Sequence, residues 1–237
     1  MTIRPLPESS TLANLSAIMR RRSTEKVLGD PDRPAPADAR HRDLVDLFLA
    51  DAGLAPFHYP HPAWKAEAPS GATQAPHASP VPWRAHKLDA VACRALLARI
   101  RRSNLPAGII ADMLAAADAL ILVAWTPSGE ADELFAGSLV NMEHVAAGGA
   151  MIQSLLLAAT VAGYRTYWSS GGVLREPPVT RWLGIPDGEI LLGAVFLFPG
   201  QVPDERVKTG KWREARGEVG DWSRWCEVAQ EDGGKTG

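Results

Sequence analysis

The sequence predicts an α+β protein, built as a single domain over residues 11–226. Some stretches have apolar residues at helical spacing, and short apolar stretches typical of buried strands lie between them. The two kinds of element do not alternate strictly and no internal repeat is present, so the α+β class is favoured over a doubly wound parallel sheet. With 237 residues, of which 46% are hydrophobic, the chain can enclose a substantial core.

The first helix is predicted over residues 11–22, because its apolar residues recur at three- and four-residue steps and so share one face. The residues of that face are Leu12, Leu15, Ile18 and Met19. A second helix is predicted to start with Asp38 as its N-cap and to end by Pro56. Its predicted inner face consists of Leu44, Leu47, Phe48 and Leu54. Further helices are predicted over 90–102, 130–163 and 177–183.

Strands are predicted over 83–88, 119–126, 165–168 and 190–198. The second and the fourth are apolar along their whole length and each is followed by a turn sequence, which is typical of strands buried on both faces.

The helical stretch over 145–162 is apolar nearly all round and contains a run of small residues from Ala146 to Ala150. A helix of this kind must be buried, either in the core or between subunits. Its apolar stretch is interrupted by polar and glycine residues and falls short of the roughly 20 apolar residues of a membrane-spanning helix, so no membrane association is predicted.

Seven of the 19 prolines lie between Pro56 and Pro82, which disfavours helix and central strand there. We therefore predict a Pro-rich insertion at about 59–81. Loops of this length are usually either functional or disordered. The polar tail over 227–237 is predicted to be disordered.

The bulk composition excludes several classes of partner. A formal charge of −2 provides no field for nucleic acid or an anionic membrane, so a small-molecule partner is expected. Cys93 and Cys226 have neither zinc-site spacing nor the density of a disulfide framework, and residues 1–10 do not resemble a secretory signal. A reducing, cytoplasmic location is therefore predicted. The sequence also lacks the glycine-rich dinucleotide motif, the P-loop, the zinc-protease motif and the serine-hydrolase motif.

Three segments are candidates for a binding site. In the run from Arg20 to Thr24, guanidinium groups and a hydroxyl suit a phosphate, although arginines also offset the partial negative charge at a helix C-terminus. His58 precedes the Pro-rich insertion, either as a ligand-contacting residue or as an ordinary loop histidine. From Gly163 to Gly172 a strand breaks into small residues, whose backbone N–H groups could face an acceptor, or which could form a turn with Trp168 packed in the core.

A metal site formed by His58, His61 and His77 has no supporting carboxylate or cysteine, so no metal is predicted.

In order and context, these segments resemble the nitroreductase family of FMN-dependent NAD(P)H oxidoreductases, in particular its compact single-domain members. The resemblance covers about residues 14–216. The matching residues are Arg21-Arg22-Ser23, Ala55 to His58, Pro82-Trp83-Arg84, Gly163 to Gly171, Pro178 to Pro186 and Leu192-Gly193.

The resemblance implies a central, mainly antiparallel sheet flanked by helices, and a homodimer with FMN bound between the subunits. It assigns the FMN phosphate to Arg21, Arg22 and Ser23, and a position beside the flavin to His58. It further implies that the isoalloxazine ring rests against Trp168, Ser169, Ser170 and Gly171, and that Arg213 is the C-terminal basic residue that many members use.

The implied reaction is ping-pong. NAD(P)H reduces the flavin and leaves, and a nitroaromatic, quinone or enal takes its place, without a side-chain nucleophile.

Two features depart from the family pattern. Glu25 occupies a position that is usually basic, with Lys26 as the nearest substitute, so weaker phosphate binding is expected. The Pro-rich insertion adds about twenty residues, which either cover the substrate pocket or extend into solvent. Three alternatives therefore stay open: a non-catalytic flavin-binding or regulatory protein, a flavin enzyme that carries out reductive dehalogenation or flavin fragmentation, and a binding domain without flavin.

Overall fold

A computed structural model describes residues 9–64, 79–128, 138–211, 215 and 217–225. Its helices and strands are, in chain order, α1 (Ser9–Arg21), β1 (Glu25–Leu28), α2 (Arg42–Ala52), β2 (Trp83–Asp89), α3 (Ala90–Arg102), α4 (Ile109–Ala116), β3 (Ala119–Trp125), α5 (Leu139–Val161), β4 (Arg165–Ser169), α6 (Pro177–Trp182), β5 (Ile190–Phe198), β6 (Arg206–Thr209) and α7 (Val219–Trp222). A short 3₁₀ helix, Gly172–Arg175, follows β4. This mixture of helices and antiparallel strands confirms the predicted α+β class.

The central sheet has four antiparallel strands in the order β2-β3-β5-β4. Strand β3 lies between two neighbours and all seven of its residues are buried, as its unbroken apolar sequence predicts. A separate two-stranded antiparallel ribbon joins β1 to β6, with Lys26 opposite Lys208. Strand β1 also contacts β4, which brings the ribbon to the β4 edge of the central sheet.

The sheet separates two hydrophobic cores. Along β3, Leu120 and Leu122 face the core formed with α3 and α4, whereas Ile121 and Val123 face the core formed with α2 and α5. This division follows from the pleat of a strand, in which successive side chains point to opposite faces.

Several predicted elements are confirmed, including the bounds of α3 and β5. The predicted inner face of α2 is partly wrong, because Leu47 and Leu54 are exposed whereas Val45, Phe48 and Ala52 are buried. The helix begins at Arg42 with His41 as its N-cap, so the predicted cap at Asp38 is also wrong. The face that contacts α5 decides which residues of α2 are buried.

The apolar face of α1 is not covered by the described part of the chain. Leu12, Leu15 and Met19 are exposed, and Ile18 is half-buried. The helical spacing was predicted correctly, but periodicity identifies an apolar face without identifying what covers it.

Helix α5 is long and apolar enough to cross a membrane by length and composition, yet half of its apolar stretch is buried within the protein. Gly148 of α5 lies against a side chain of β5, because an added Cβ would lie 2.7 Å from Leu192 Cδ2. One face of α5 therefore belongs to the core, whereas Met142 and Val161 on the helix are exposed.

Parts of some predictions lie outside the described residues. These are most of the Pro-rich insertion, the beginning of the helix predicted over 130–163, His77, Arg213, Cys226 and the tail over 227–237.

Candidate cofactor site

The segment from Arg21 to Glu25 borders two different cavities, each of about 240 Å³. The first, which we name the helix-end cavity, is lined by Arg21, Ser23, Glu25, Thr160, Gly163, Tyr164 and Arg165. The second, which we name the Trp168 cavity, is lined by Arg22, Thr24, Gln153, Leu156, Thr166 and Trp168. The odd-numbered residues of this segment line the first cavity and the even-numbered ones line the second, because neighbouring side chains of an extended chain point in opposite directions. The predicted Arg-Arg-Ser group is therefore split between the two cavities.

Arg21 contacts the C-terminal end of α5. Its Nη2 donates to the Thr160 carbonyl oxygen at 2.6 Å and to the Val161 carbonyl oxygen at 3.3 Å. The last carbonyls of a helix lack partners within the helix and carry partial negative charge. Arg21 thus has the helix-terminus role that the sequence left open, although the helix is α5 rather than α1.

The helix-end cavity contains charges of both signs. The Ser23 hydroxyl donates to the Glu25 carboxylate, so the hydroxyl predicted to hold phosphate is already engaged. Arg165 is held by Glu205 through two contacts of 2.6 Å. Lys26, the predicted substitute for a basic residue, lies with its Nζ 4.8 Å from the centroid of the Tyr167 ring. An anion entering this cavity would meet the Glu25 carboxylate.

The Trp168 cavity is different, because no carboxylate is among the described residues that line it. Arg22 is half-buried, and its Nη1 donates to Thr24 Oγ1 at 3.3 Å. Thr166 Oγ1 is buried and has no hydrogen-bond partner among the described residues. A guanidinium beside an orphaned buried hydroxyl suits a polar, anionic group of a ligand.

The Trp168 indole lies directly over Gly193 of β5. A Cβ at position 193 would lie 2.0 Å from Trp168 Nε1, so glycine is required for the indole to rest on the sheet. The Trp168 residue is 40% exposed, and it therefore offers a partly open aromatic surface at the edge of the cavity rather than a core side chain.

Beyond Trp168 the chain turns sharply. Ser169 is buried and its hydroxyl accepts from the Gly171 N–H at 3.1 Å, so that N–H already has a partner. The carbonyl of Ser170, an exposed residue, accepts from Arg175 Nε. Gly171 and Gly172 have φ values of +116° and +53°, which favour glycine. The small-residue turn was predicted correctly, and the structure adds the hydrogen bonds that fix its shape.

His58 lies away from both cavities. Its side chain is 75% exposed, and Nδ1 is 3.1 Å from Glu143 Oε2 on α5. His61 is buried, and its Nδ1 accepts from the Ala63 N–H at 3.1 Å. The proton of the neutral ring is therefore on Nε2, which donates to Thr126 Oγ1 at 3.0 Å. In the described part of the chain, no group of three or more His, Cys, Asp or Glu residues is placed to hold a metal ion.

His144 is a buried residue that sequence reasoning missed. Neither ring nitrogen makes a hydrogen bond of good geometry in the part of the chain that the structure describes, and the ring lies edge-on to Trp125. Burial lowers the pKa of His144 by more than the nearby backbone of Thr126, Pro60 and Tyr59 raises it, so the ring is neutral at neutral pH.

A larger cleft, of about 1220 Å³, lies elsewhere on the protein. Its lining includes Trp83, Arg84, Glu189 and both anchored ends of the Pro-rich insertion. None of the predicted cofactor residues lines it. The insertion therefore begins and ends beside a cleft that is separate from the Trp168 cavity.

Arg213 lies outside the described residues, but the chain before it approaches the Arg22 segment. The Gly210 N–H donates to the Thr24 carbonyl oxygen at 2.8 Å, directly after β6 has paired with β1. This pairing brings C-terminal residues close to Arg22. Sequence reasoning placed Thr24 and Thr166 inside candidate segments without giving either a role, and it did not single out Gln153 or Leu156. The available signals were that Thr166 shares a strand face with Trp168 and that Gln153 and Leu156 lie three residues apart on one helix.

The comparisons with known proteins agree with this architecture. The model of the nitroreductase family matches residues 41–198. No curated protein matches the chain significantly. Among solved structures, the chain is similar to a nitroreductase-like family protein from Bacillus cereus, with 19% identity, a TM-score of 0.57, and coverage of 96% of this chain and 100% of that chain.

A second similar structure is nitroreductase CinD from Lactococcus lactis, solved with chloramphenicol and with 4-nitrophenol. Both complexes have 15% identity and a TM-score of 0.53, over 86% of this chain and 98% of that chain. At these identities the similarity shows a shared nitroreductase-like fold. Because the family model spans most of the chain, the protein belongs to the nitroreductase family.

Proposed function

We propose that the protein is an FMN-dependent oxidoreductase that passes hydride from NAD(P)H through the flavin to a small acceptor. The observation that carries the proposal is that Arg22 and Trp168, from distant parts of the sequence, line one cavity together with the orphaned Thr166 hydroxyl. When bound, FMN supplies the redox chemistry, and the protein supplies binding, orientation and electrostatics.

Each part of the proposed site has a physical role. The Arg22 guanidinium offers charge-assisted hydrogen bonds to the phosphate, and its hydrogen bond to Thr24 Oγ1 helps to orient it. The partly exposed Trp168 indole and the turn through Ser169, Ser170 and Gly171 give the flavin ring a flat boundary. Arg21 and Ser23 stay predicted phosphate ligands, although their present contacts favour a structural role.

The Trp168 cavity, of about 240 Å³, is smaller than a typical ligand pocket of roughly 300–1,000 Å³, so one protomer encloses only part of the cofactor. This supports a homodimer whose second copy completes the site. The exposed apolar face of α1, immediately before the Arg22 segment, supports the same arrangement. In this proposal, His58 contacts a cofactor bound between subunits.

We predict a dimer in light scattering of the purified protein. Burial of the α1 face would remove Leu12, Leu15 and Met19 from water, which favours association. A monomer that still retains flavin would contradict the shared site.

The acceptor is proposed only as a class. CinD, at 15% identity, has been solved with two nitroaromatic compounds, chloramphenicol and 4-nitrophenol. A pocket that binds planar molecules by stacking discriminates poorly among them. Nitroaromatics, quinones and enals therefore remain the candidate acceptors.

The direct test is the visible spectrum of the purified protein, followed by chromatography of any released cofactor. We expect an oxidised flavin spectrum, release of FMN, and bleaching when NADH or NADPH is added without oxygen. A colourless protein that does not take up added FMN would exclude the proposal.

A bound flavin that stays oxidised with both donors would instead favour a non-catalytic flavin-binding protein. The observation that favours this second candidate is Glu25, which engages Ser23 in place of a family basic residue. Assays for released halide and for flavin breakdown distinguish the third candidate, an enzyme of different flavin chemistry.

A further inference from the structure

Thr166 of β4 is a polar residue whose side chain has no partner in the described protein. The residue is 1% exposed, and Oγ1 makes no hydrogen bond to any described residue. The hydroxyl of Thr160, by contrast, donates to the Leu156 carbonyl oxygen at 2.7 Å. Leaving a buried hydroxyl unpaired is costly, and such a group in a folded protein calls for a specific reason.

The surroundings of Thr166 supply hydrogen-bond donors. Thr24 Oγ1 accepts from Arg22, which leaves its own hydroxyl hydrogen for another acceptor. The Gln153 amide adds two further donors from α5. Among the described lining residues, Arg22 is the only ionisable one.

The residues that line the cavity differ in burial. Thr166 and Leu156 are buried, Arg22 and Thr24 are half-buried, and Gln153 and Trp168 are exposed. The cavity therefore opens to solvent on the side of Gln153 and Trp168, with the unpaired hydroxyl at its inner end. A small oxyanion fits this arrangement better than an apolar group, because its oxygens accept from all the donors at once.

We propose that Thr166, together with Thr24 and Gln153, binds the phosphate of FMN alongside Arg22. The inference rests on the proposed flavin-dependent function and adds three residues to which the family resemblance assigns no role. It also gives the protein a basis for preferring FMN to riboflavin, since riboflavin leaves the Thr166 hydroxyl unpaired.

The test is the Thr166→Val variant, which replaces the hydroxyl with a methyl group of the same shape. We expect the FMN-free variant to be more stable than the FMN-free wild-type protein in urea unfolding, because an unpaired buried hydroxyl has been removed. We expect its FMN Kd, from quenching of flavin fluorescence, to rise about tenfold. The riboflavin Kd stays unchanged.

Thr166→Ser keeps the hydroxyl and is expected to keep the FMN affinity. Thr180→Val is the matched control, because the Thr180 hydroxyl donates to the Pro177 carbonyl oxygen away from the cavity. It should leave the Kd of FMN unchanged. If Thr166→Val does not fold, Gln153→Met removes a donor without shortening the side chain and should weaken FMN but not riboflavin.

Three outcomes overturn the inference while leaving the proposed function intact. They are a Thr166→Val variant that binds FMN as tightly as the wild-type protein, an equal loss of FMN and riboflavin, and an FMN-free variant less stable than the wild-type protein. If the wild-type protein binds neither flavin, the proposed function itself fails and the inference fails with it.

Discussion

Replacing Arg22 with alanine is expected to weaken FMN binding by about 100-fold. The half-buried guanidinium makes charge-assisted hydrogen bonds to the phosphate, whose loss costs on the order of 1.5–3 kcal/mol, and about 1.4 kcal/mol is tenfold. Arg22 is the ionisable residue among those described around the Trp168 cavity. The loss should be visible in the purified protein as a lower flavin content, and quantitatively in fluorescence titration of the FMN-free protein.

Arg21→Ala is the matched control, since it removes the same side chain from the neighbouring position. Arg21 donates to two carbonyl oxygens at the end of α5, so we expect its loss to lower the free energy of unfolding by about 1 kcal/mol. Its effect on the FMN Kd should be much smaller than that of Arg22→Ala. Equal losses of FMN affinity in the two variants would mean that both guanidinium groups hold the phosphate, as the family resemblance implies.

The secondary structure was predictable where burial imposes a local pattern. Strands β3 and β5 are buried along nearly their whole length, and their unbroken apolar sequences indicate this directly. Strands β1 and β6 were missed because each has four residues and carries charged side chains. They pair with each other across most of the chain, and no local pattern reports such a long-range contact.

Helix α4 was missed for the opposite reason. Its sequence is mostly apolar and five of its eight residues are buried, so no polar face marks a helical period. In α1 the period was clear, but the exposure of Leu12, Leu15 and Met19 depends on what packs against the helix. Spacing therefore predicted the helix but not its burial.

The candidate site was predictable only in part. Arg22 and Trp168 were identified through motif resemblance, and they line the same cavity. Arg21 and Arg22 line different cavities because the chain becomes extended after α1. The sequence interpretation treated both arginines as part of the helix end and so did not predict this. Thr166 and Gln153 are ordinary residues of a strand and a helix, and only the meeting of β4 with α5 gives them a common position.

The second large effect is expected at the contact between Arg165 and Glu205. The guanidinium donates to both carboxylate oxygens at 2.6 Å and to the Pro199 carbonyl oxygen, and Glu205 Oε2 also accepts from the Val202 N–H at 2.9 Å. These bonds fix the turn between β5 and β6 to the start of β4. They thereby hold β6 against β1, the strand that follows the Arg22 segment.

Glu205→Gln is expected to lower the free energy of unfolding by about 2 kcal/mol at neutral pH, a value reduced from that of a fully buried pair because both side chains keep some exposure. It should also weaken FMN binding, because the ribbon that positions Thr24 is loosened. Asp32→Asn is the matched control, since Asp32 pairs with Arg101 at an exposed position and its loss should cost little.

The loss of stability caused by Glu205→Gln should disappear in acid, because the Glu205 carboxyl group becomes protonated there. Hydrogen bonds from Arg165 lower the pKa of Glu205 below its ordinary value of 4.5. A lowered folded-state pKa gives stability that is fully present above the unfolded-state value and is lost as the pH falls through the folded-state value. The gap in urea-unfolding free energy between the wild-type protein and Glu205→Gln should therefore close in acid. A gap that persists unchanged there would show that the variant disturbs the packing of the turn rather than a charged pair.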